Sequence, residues 1–162
     1  MSLGKIRTGI GVDVHQFEQG REFYLGGIVI PYEKGLKGHS DADVLVHAIM
    51  DALLGAAGLN DIGYYFPDSD KKWKNVSSCL LLEKVNKLII EKGYTIGNID
   101  CVICIEQPKI APYIQQMKET IASKLLIQTE DISIKATTFE TMGFVGKKEG
   151  VLSFVTCLLY KN

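Results

Sequence analysis

The strongest constraint on the fold is a change of hydrophobic period in the first third of the chain. Lys5 to Phe17 is an apolar, β-branched run and reads as a strand. From Ser40 to about Gly58, by contrast, Val44, Leu45, Ala48, Ile49, Ala52 and Leu53 recur with the period of a helix. Ser40 or Asp41 is the expected cap, with Asp43 in the first turn beside the positive end of the helix dipole. Glu22 to Pro31 reads as a second strand paired with the first, and Tyr32 to Gly38 as a loop. Asn60 to Lys74 is a long Gly/Pro/Asp-rich connection, a length often used for binding. A second helix is expected over Ser77 to Lys92, with Leu81, Leu82, Val85, Leu88 and Ile89 inward. A strand within Tyr94 to Glu106 follows, and then a third helix with Pro108 in its first turn, ending near Leu126. Ile132 to Thr138 and Val151 to Tyr160 are the last strands. The order β-β-α-α-β-α-β-β predicts an α+β, two-layer sandwich, with helices on one face of a mixed sheet.

The 162 residues suit a single domain spanning 1–162, with 1–4 expected to be a cloning remnant or disordered. A net charge of −1 supplies no global field for nucleic acid or an anionic membrane, so any phosphate must be held by local groups. No signal peptide or membrane-spanning run is expected. Cys101 and Cys104 mimic a CxxC motif, but three apart on a strand they face opposite ways. All four cysteines, including Cys79 and Cys157, read as apolar core thiols of a reducing compartment.

Chemistry concentrates around the three histidines. His15 lies two residues after Asp13, so both project from one face of the first strand. His39 and His47 flank the helix start. Two imidazoles and a carboxylate, Asp13, His15 and His47, are a common ligand set for Zn²⁺ or a similar divalent metal, with one position left open for substrate. Asp43 and Asp51 share a helix face with His47, and either is expected to orient its second nitrogen. His39 and Ser40 sit where helix N–H groups favour anions, although Ser40 serves equally as a plain cap. In the 60–70 loop Asp61 can accept from sugar hydroxyls, or simply shape a turn. Lys135 to Glu140 and the Gly-rich stretch from Met142 to Gly150 can hold a diphosphate, with Glu140 offering oxygen to a hard cation.

A run of motifs then appears in order: Asp13-Val14-His15, Ile30-Pro-Tyr-Glu-Lys-Gly-Leu36, Gly38-His-Ser-Asp-Ala-Asp-Val44, Asp51-Ala-Leu-Leu-Gly-Ala-Ala57, Asp61-Ile-Gly63, Phe66-Pro-Asp68, Gly93-Tyr94, Gly97-Asn98, Gln107-Pro-Lys109 and Lys135-Ala-Thr-Thr138. Over nearly its whole length the chain resembles the 2-C-methyl-D-erythritol 2,4-cyclodiphosphate synthase family of the non-mevalonate isoprenoid pathway. The resemblance implies a βαβαββ-type sandwich and a homotrimer with active sites between subunits. It implies a CDP-linked small-molecule substrate, 4-diphosphocytidyl-2-C-methyl-D-erythritol 2-phosphate, cyclised with loss of CMP.

By position, the resemblance makes Asp13, His15 and His47 the zinc ligands, and His39 and Thr138 the groups that support the transition state. Ser40, Asp61, Ile62, Gly63, Phe66, Pro67, Asp68, Ser69 and Asp70 fall in substrate-binding segments. So do Ile105, Glu106, Gln107, Pro108, Lys109, Ile110 and Ala111, which would come from a neighbouring subunit. Thr137, Thr138, Phe139 and Glu140 match the diphosphate site with its Mg²⁺ or Mn²⁺, and Phe144 and Lys147 lie near the substrate. Two positions depart from the pattern. Phe139 replaces a common third threonine, and Lys147 stands where arginine is frequent, giving a point charge without the bidentate fork. The expected compartment is the cytoplasm of a bacterium, or a plastid or apicoplast. The competing readings are a zinc-dependent phosphohydrolase that uses water as nucleophile, and a non-catalytic trimeric nucleotide-binding module. The first lacks a second carboxylate-rich metal cluster, and the second fits poorly with an open metal position.

Overall fold

In the computed structural model, which describes residues 5–161, the chain runs β1 (Ile6–Gln19), β2 (Phe23–Leu25), β3 (Ile28–Ile30), β4 (Lys34–Leu36), α1 (Val44–Ala56), α2 (Ile62–Tyr65), α3 (Ser78–Glu91), β5 (Tyr94–Cys104), α4 (Ile114–Leu125), β6 (Ile132–Thr137), α5 (Gly143–Gly146) and β7 (Gly150–Lys161). The expectation for residues 1–4 lies outside the described residues. The main sheet has the order β4-β1-β7-β5-β6, so the last strand is the middle one. Only β5 and β6 are parallel. The expected mixed sheet with α1, α3 and α4 packed over it is what forms.

Helix α1 is buried at eleven of its thirteen residues, because it lies between the sheet and α3. It can approach β1 this closely because both surfaces are stripped of side chains. Ala48, Ala52 and Ala56 recur every four residues on the helix, and Gly9 and Gly11 face them from the strand. A Cβ built on Gly11 would overlap the carbonyl oxygen of Ala48, and one on Gly9 that of Ala52. The other face of β1 carries Ile6, Ile10, Val12 and Val14, all exposed, and β7 adds Phe154 and Tyr160. This sheet therefore presents an apolar surface away from its helices, the kind of patch that marks an interaction site.

Four expectations are corrected. The Glu22–Pro31 segment does not pair with β1. It folds on itself as the β2–β3 hairpin, because Gly26 and Gly27 both adopt positive φ, the geometry of a two-residue hairpin turn. The partner of β1's end is β4, drawn from the segment expected to be a loop, with Phe17 opposite Leu36. The cap of α1 is neither Ser40 nor Asp41 but Asp43. Its buried carboxylate accepts from the N–H groups of Val46 (3.0 Å), Gly26 (2.9 Å) and Gly27 (2.6 Å), tying the hairpin turn to the helix start. Pro108 stands outside the third helix, which begins at Ile114 after a 3₁₀ turn that already contains Pro112.

The Asn60–Lys74 connection is not structureless either. It holds α2, capped by Asp61, and a 3₁₀ turn over Lys71–Trp73, capped by Asp70. All four cysteines are buried and free, as expected, and burial pushes the thiols up, to about 11 at Cys79 and about 12 at Cys157. No helix among the described residues is long and apolar enough to cross a membrane.

Candidate metal centre and substrate cleft

The close approach of α1 to β1 sets the geometry of the site. Asp13 and His15 point to the helix side of β1, and His47 meets them one turn into α1. Asp13 Oδ2 lies 2.9 Å from His15 Nε2 and 3.1 Å from His47 Nδ1, and the two ring nitrogens are 3.2 Å apart. One oxygen and two nitrogens thus converge on a single point, a set that can hold a metal ion. The donor chemistry fits a borderline divalent cation with an open position. Burial alone would raise the Asp13 carboxyl. Hydrogen bonds from His15 and His47, and their charges, outweigh it and hold the group down at about 2. For His15, burial pulls the imidazole down, but the hydrogen bond and charge of Asp13 win and raise it above its ordinary value.

The far nitrogens are also engaged. His15 Nδ1 donates to the Lys37 carbonyl at 2.8 Å, so in the neutral ring Nε2 is bare toward the centre, and only the protonated ring donates from it to Asp13. The expectation that Asp43 or Asp51 orients His47 is not met. Asp43 is spent on its three N–H donors, and Asp51 accepts from the Ile62 N–H at 2.8 Å. Instead, His47 Nε2 lies 2.9 Å from Ser78 Oγ at the start of α3 and 3.3 Å from Ser40 Oγ. Nothing in the local pattern around Ser78 pointed to this, because the two residues are 31 positions apart and meet only through α1–α3 packing.

A cleft of about 390 Å³ opens over the three ligands, and its walls include His39, Ser40, Ile62, Gly63, Phe66 and Asp68. His39 is exposed, with Nδ1 3.5 Å from Asp68. Trp73, not singled out from the sequence, lies edge-on to Phe66 at 5.1 Å and lines the same cleft, its indole N–H buried without a partner. A lone tryptophan in a Gly/Pro/Asp-rich loop was the available signal. Asp61 and Asp70 each spend a carboxylate oxygen on the backbone N–H groups of Tyr64 and Lys72, and Pro67 and Ser69 form the turn between them.

The remaining predicted residues gather elsewhere. Thr138 Oγ1 donates to Glu140 Oε1 at 2.8 Å, in a loop where Glu140 and Thr141 both adopt positive φ. Glu106 pins that loop by accepting from the Phe139 N–H at 2.8 Å. Ile105 and Ile110 are buried in the core, so this segment offers a ligand mainly its backbone and the exposed Gln107 and Lys109. Thr137, Phe144 and Lys147 are exposed beside it. This second group sits at the same end of the sheet as Asp13 and His15. In register, Val14 faces Leu152, Leu152 faces Cys104, and Cys104 faces Thr137. Three strand spacings separate the two groups, about 14 Å, and none of the second group lines the cleft. Among the described residues, the predicted site residues thus fall into two separate groups, not one closed pocket.

Fold and centre together define a class: an α+β protein with a carboxylate–imidazole set that can hold a metal, in a cleft at one end of its sheet. The YgbB family model matches residues 6–160, and the chain belongs to that family. A 2-C-methyl-D-erythritol 2,4-cyclodiphosphate synthase of Bacteroides fragilis is 56% identical over 155 residues, covering 96% of this chain and 98% of its own. The bifunctional IspDF of Campylobacter jejuni is similar with a TM-score of 0.95 and 42% identity, over 98% of this chain and 43% of its own. A Plasmodium falciparum IspF in complex with CDP is similar with a TM-score of 0.86 and 34% identity, over 99% of this chain and 100% of its own.

Proposed function

We propose that the chain converts 4-diphosphocytidyl-2-C-methyl-D-erythritol 2-phosphate to 2-C-methyl-D-erythritol 2,4-cyclodiphosphate and CMP, as its family and the names of its relatives indicate. The observation that carries this reading is the convergence of Asp13, His15 and His47 on one point beneath an open cleft. The nucleophile, the 2-phosphate, already belongs to the substrate, so no serine, cysteine or activated water is needed. The P–O bond to the cytidine-bearing phosphate breaks as the 2-phosphate oxygen bonds to the β-phosphorus, and CMP departs with the electron pair. The protein's task is to fold the substrate back on itself, to neutralise charge and to exclude water. Zinc at Asp13, His15 and His47, and magnesium or manganese at Glu140, would supply Lewis-acid stabilisation of the phosphate oxygens. His39 and Thr138 are assigned to the reacting phosphates. Asp61 to Gly63 receive the ribose, and the segment from Ile105 to Ala111 receives cytosine and its phosphate.

We further propose a homotrimer. The two separate groups of site residues and the exposed apolar sheet face support it: association through that face would cover Ile10, Val12, Val14 and Phe154, and a shared site would take its cleft from one chain and its Glu140 loop from the next. Mixing tests it directly. His47→Ala and Glu140→Ala each lose activity alone, whereas co-folded mixtures regain a measurable part of it, because some interfaces then hold two intact halves. Mixtures as inactive as their components would exclude a shared site. For the reaction itself, phosphorus NMR with Zn²⁺ and Mg²⁺ present should show cyclic diphosphate and CMP. Linear hydrolysis products would instead identify a phosphohydrolase, and unchanged substrate a binding module.

The raised His15 sets the pH dependence of metal loading. Its folded pKa lies above the ordinary imidazole value, because Asp13 favours the charged ring, so on acidification His15 takes up a proton sooner than a free imidazole does, and metal must displace it. Zinc affinity should therefore rise with pH while the ring still carries its proton, and level off once it has lost it. Calorimetry in buffers of different ionisation enthalpy reads that proton release. Affinity independent of pH would contradict a metal bound by His15.

A further inference from the structure

We propose that Ser78, held by Asp41, is the positioning residue that selects the tautomer in which His47 presents a bare Nδ1 to the metal. This rests on the metal reading above and extends it to two residues outside the ligand set. The carboxylate of Asp41 only accepts. Its Oδ2 takes the Ser78 N–H at 2.8 Å, and its Oδ1 takes the Ser78 hydroxyl hydrogen. With that hydrogen committed, Ser78 Oγ can offer His47 Nε2, 2.9 Å away, only a lone pair. The proton of the neutral ring is thereby drawn to Nε2 against the competing pull of Asp13 Oδ2, 3.1 Å from Nδ1, and Nδ1 faces Asp13 and His15 unprotonated. Ser40 Oγ, already accepting from the Ala42 N–H, is a longer second neighbour of the same nitrogen at 3.3 Å.

His15 reaches the same state through the backbone carbonyl of Lys37, which no side-chain substitution removes. His47 instead depends on side chains contributed by the loop before α1 and by α3. It is only 9% exposed, so water does not readily replace them. The arrangement also ties α3 to the site. Ser77, at the helix cap, makes no side-chain capping bond, and Asp41 takes the N–H of Ser78 in its place. A purely structural role for Asp41 and Ser78 would end there.

Nitrogen-15 NMR of histidine-labelled, metal-free protein at alkaline pH separates the two roles. Wild type should show His47 with a pyrrole-type Nε2 and a pyridine-type Nδ1. Ser78→Ala should mix the tautomers and weaken zinc binding by about 10- to 100-fold in chelator competition, the usual cost of losing an outer partner of a metal-bound histidine. Ser78→Thr should restore both. Asp41→Asn should reproduce the loss with Ser78 still present, because the serine hydroxyl is then free to donate to Nε2. Unchanged ring shifts and zinc affinity in Ser78→Ala, even with a lower Tm, would reduce Ser78 to a helix-capping role and overturn the proposal. Failure of wild type to bind zinc would overturn the metal reading instead, while the tautomer signature of the apo ring would still decide what Ser78 does.

Discussion

His47→Ala loses the metal and nearly all turnover, yet keeps the fold. The substitution removes the one ligand that comes from α1 and leaves Asp13 and His15, two groups on a single strand and too few to close a stable centre. Turnover should fall by about 10³-fold or more, because a Lewis-acid cation is worth several kcal/mol at a phosphoryl centre and each 1.4 kcal/mol is a tenfold change in rate. The fold should tolerate it. Alanine is the best helix former, α1 is anchored by Val44, Leu45, Ile49 and Leu53, and the Asp43 cap is untouched. Metal analysis alongside far-UV circular dichroism and a turnover assay checks all three points. One equivalent of zinc retained with wild-type turnover would remove His47 from the ligand set.

Gly11→Ala does the reverse and breaks the scaffold before the chemistry. The added methyl meets the backbone of α1 at Ala48 and Ala52, and backbone cannot swing aside as a flexible side chain would. The helix must lift from the strand, at a cost of about 3 kcal/mol. That separates His47 from Asp13 and His15, so metal affinity should fall along with Tm. Gly55→Ala is the matched control on the same helix, since its Cβ would have only the Ile10 carbonyl near it, at 4.0 Å. It should stabilise the protein by about 0.5–1 kcal/mol through helix propensity. Denaturant titration of both variants checks the pair. Equal stabilities would mean that the glycines of β1 do not set the helix–strand distance.

These contrasts mark how far the sequence carries. The main strands and three long helices were legible because their apolar residues repeat at the strand or helix period, and burial enforces that period locally. Asp13 and His15 were legible for the same reason, being two apart on a strand. His47 was recognisable by residue type and by its place in a helix start. Cys101 and Cys104 were legible as core thiols because a CxxC spacing on a strand cannot bring two sulfurs together. The β2–β3 hairpin was misread, since a short apolar run does not name its partner and the turn at Gly26 and Gly27 decided it. The cap of α1 was misassigned among neighbouring Ser40, Asp41 and Asp43, because all three are good caps and only the hairpin's N–H groups select one.

By itself, then, the sequence determined the long strands and helices, the residue types of the site and the family, because periodicity and motif order are local properties. Tertiary structure alone decided that α1 rests on two strand glycines at the distance that joins Asp13, His15 and His47. It alone brought Ser78 to the back of His47 across 31 residues, and it separated the Glu140 loop from the cleft by three strand spacings. Each of these depends on which surfaces pack against which, a matter of side-chain volume summed over the whole core rather than of any pattern along the chain.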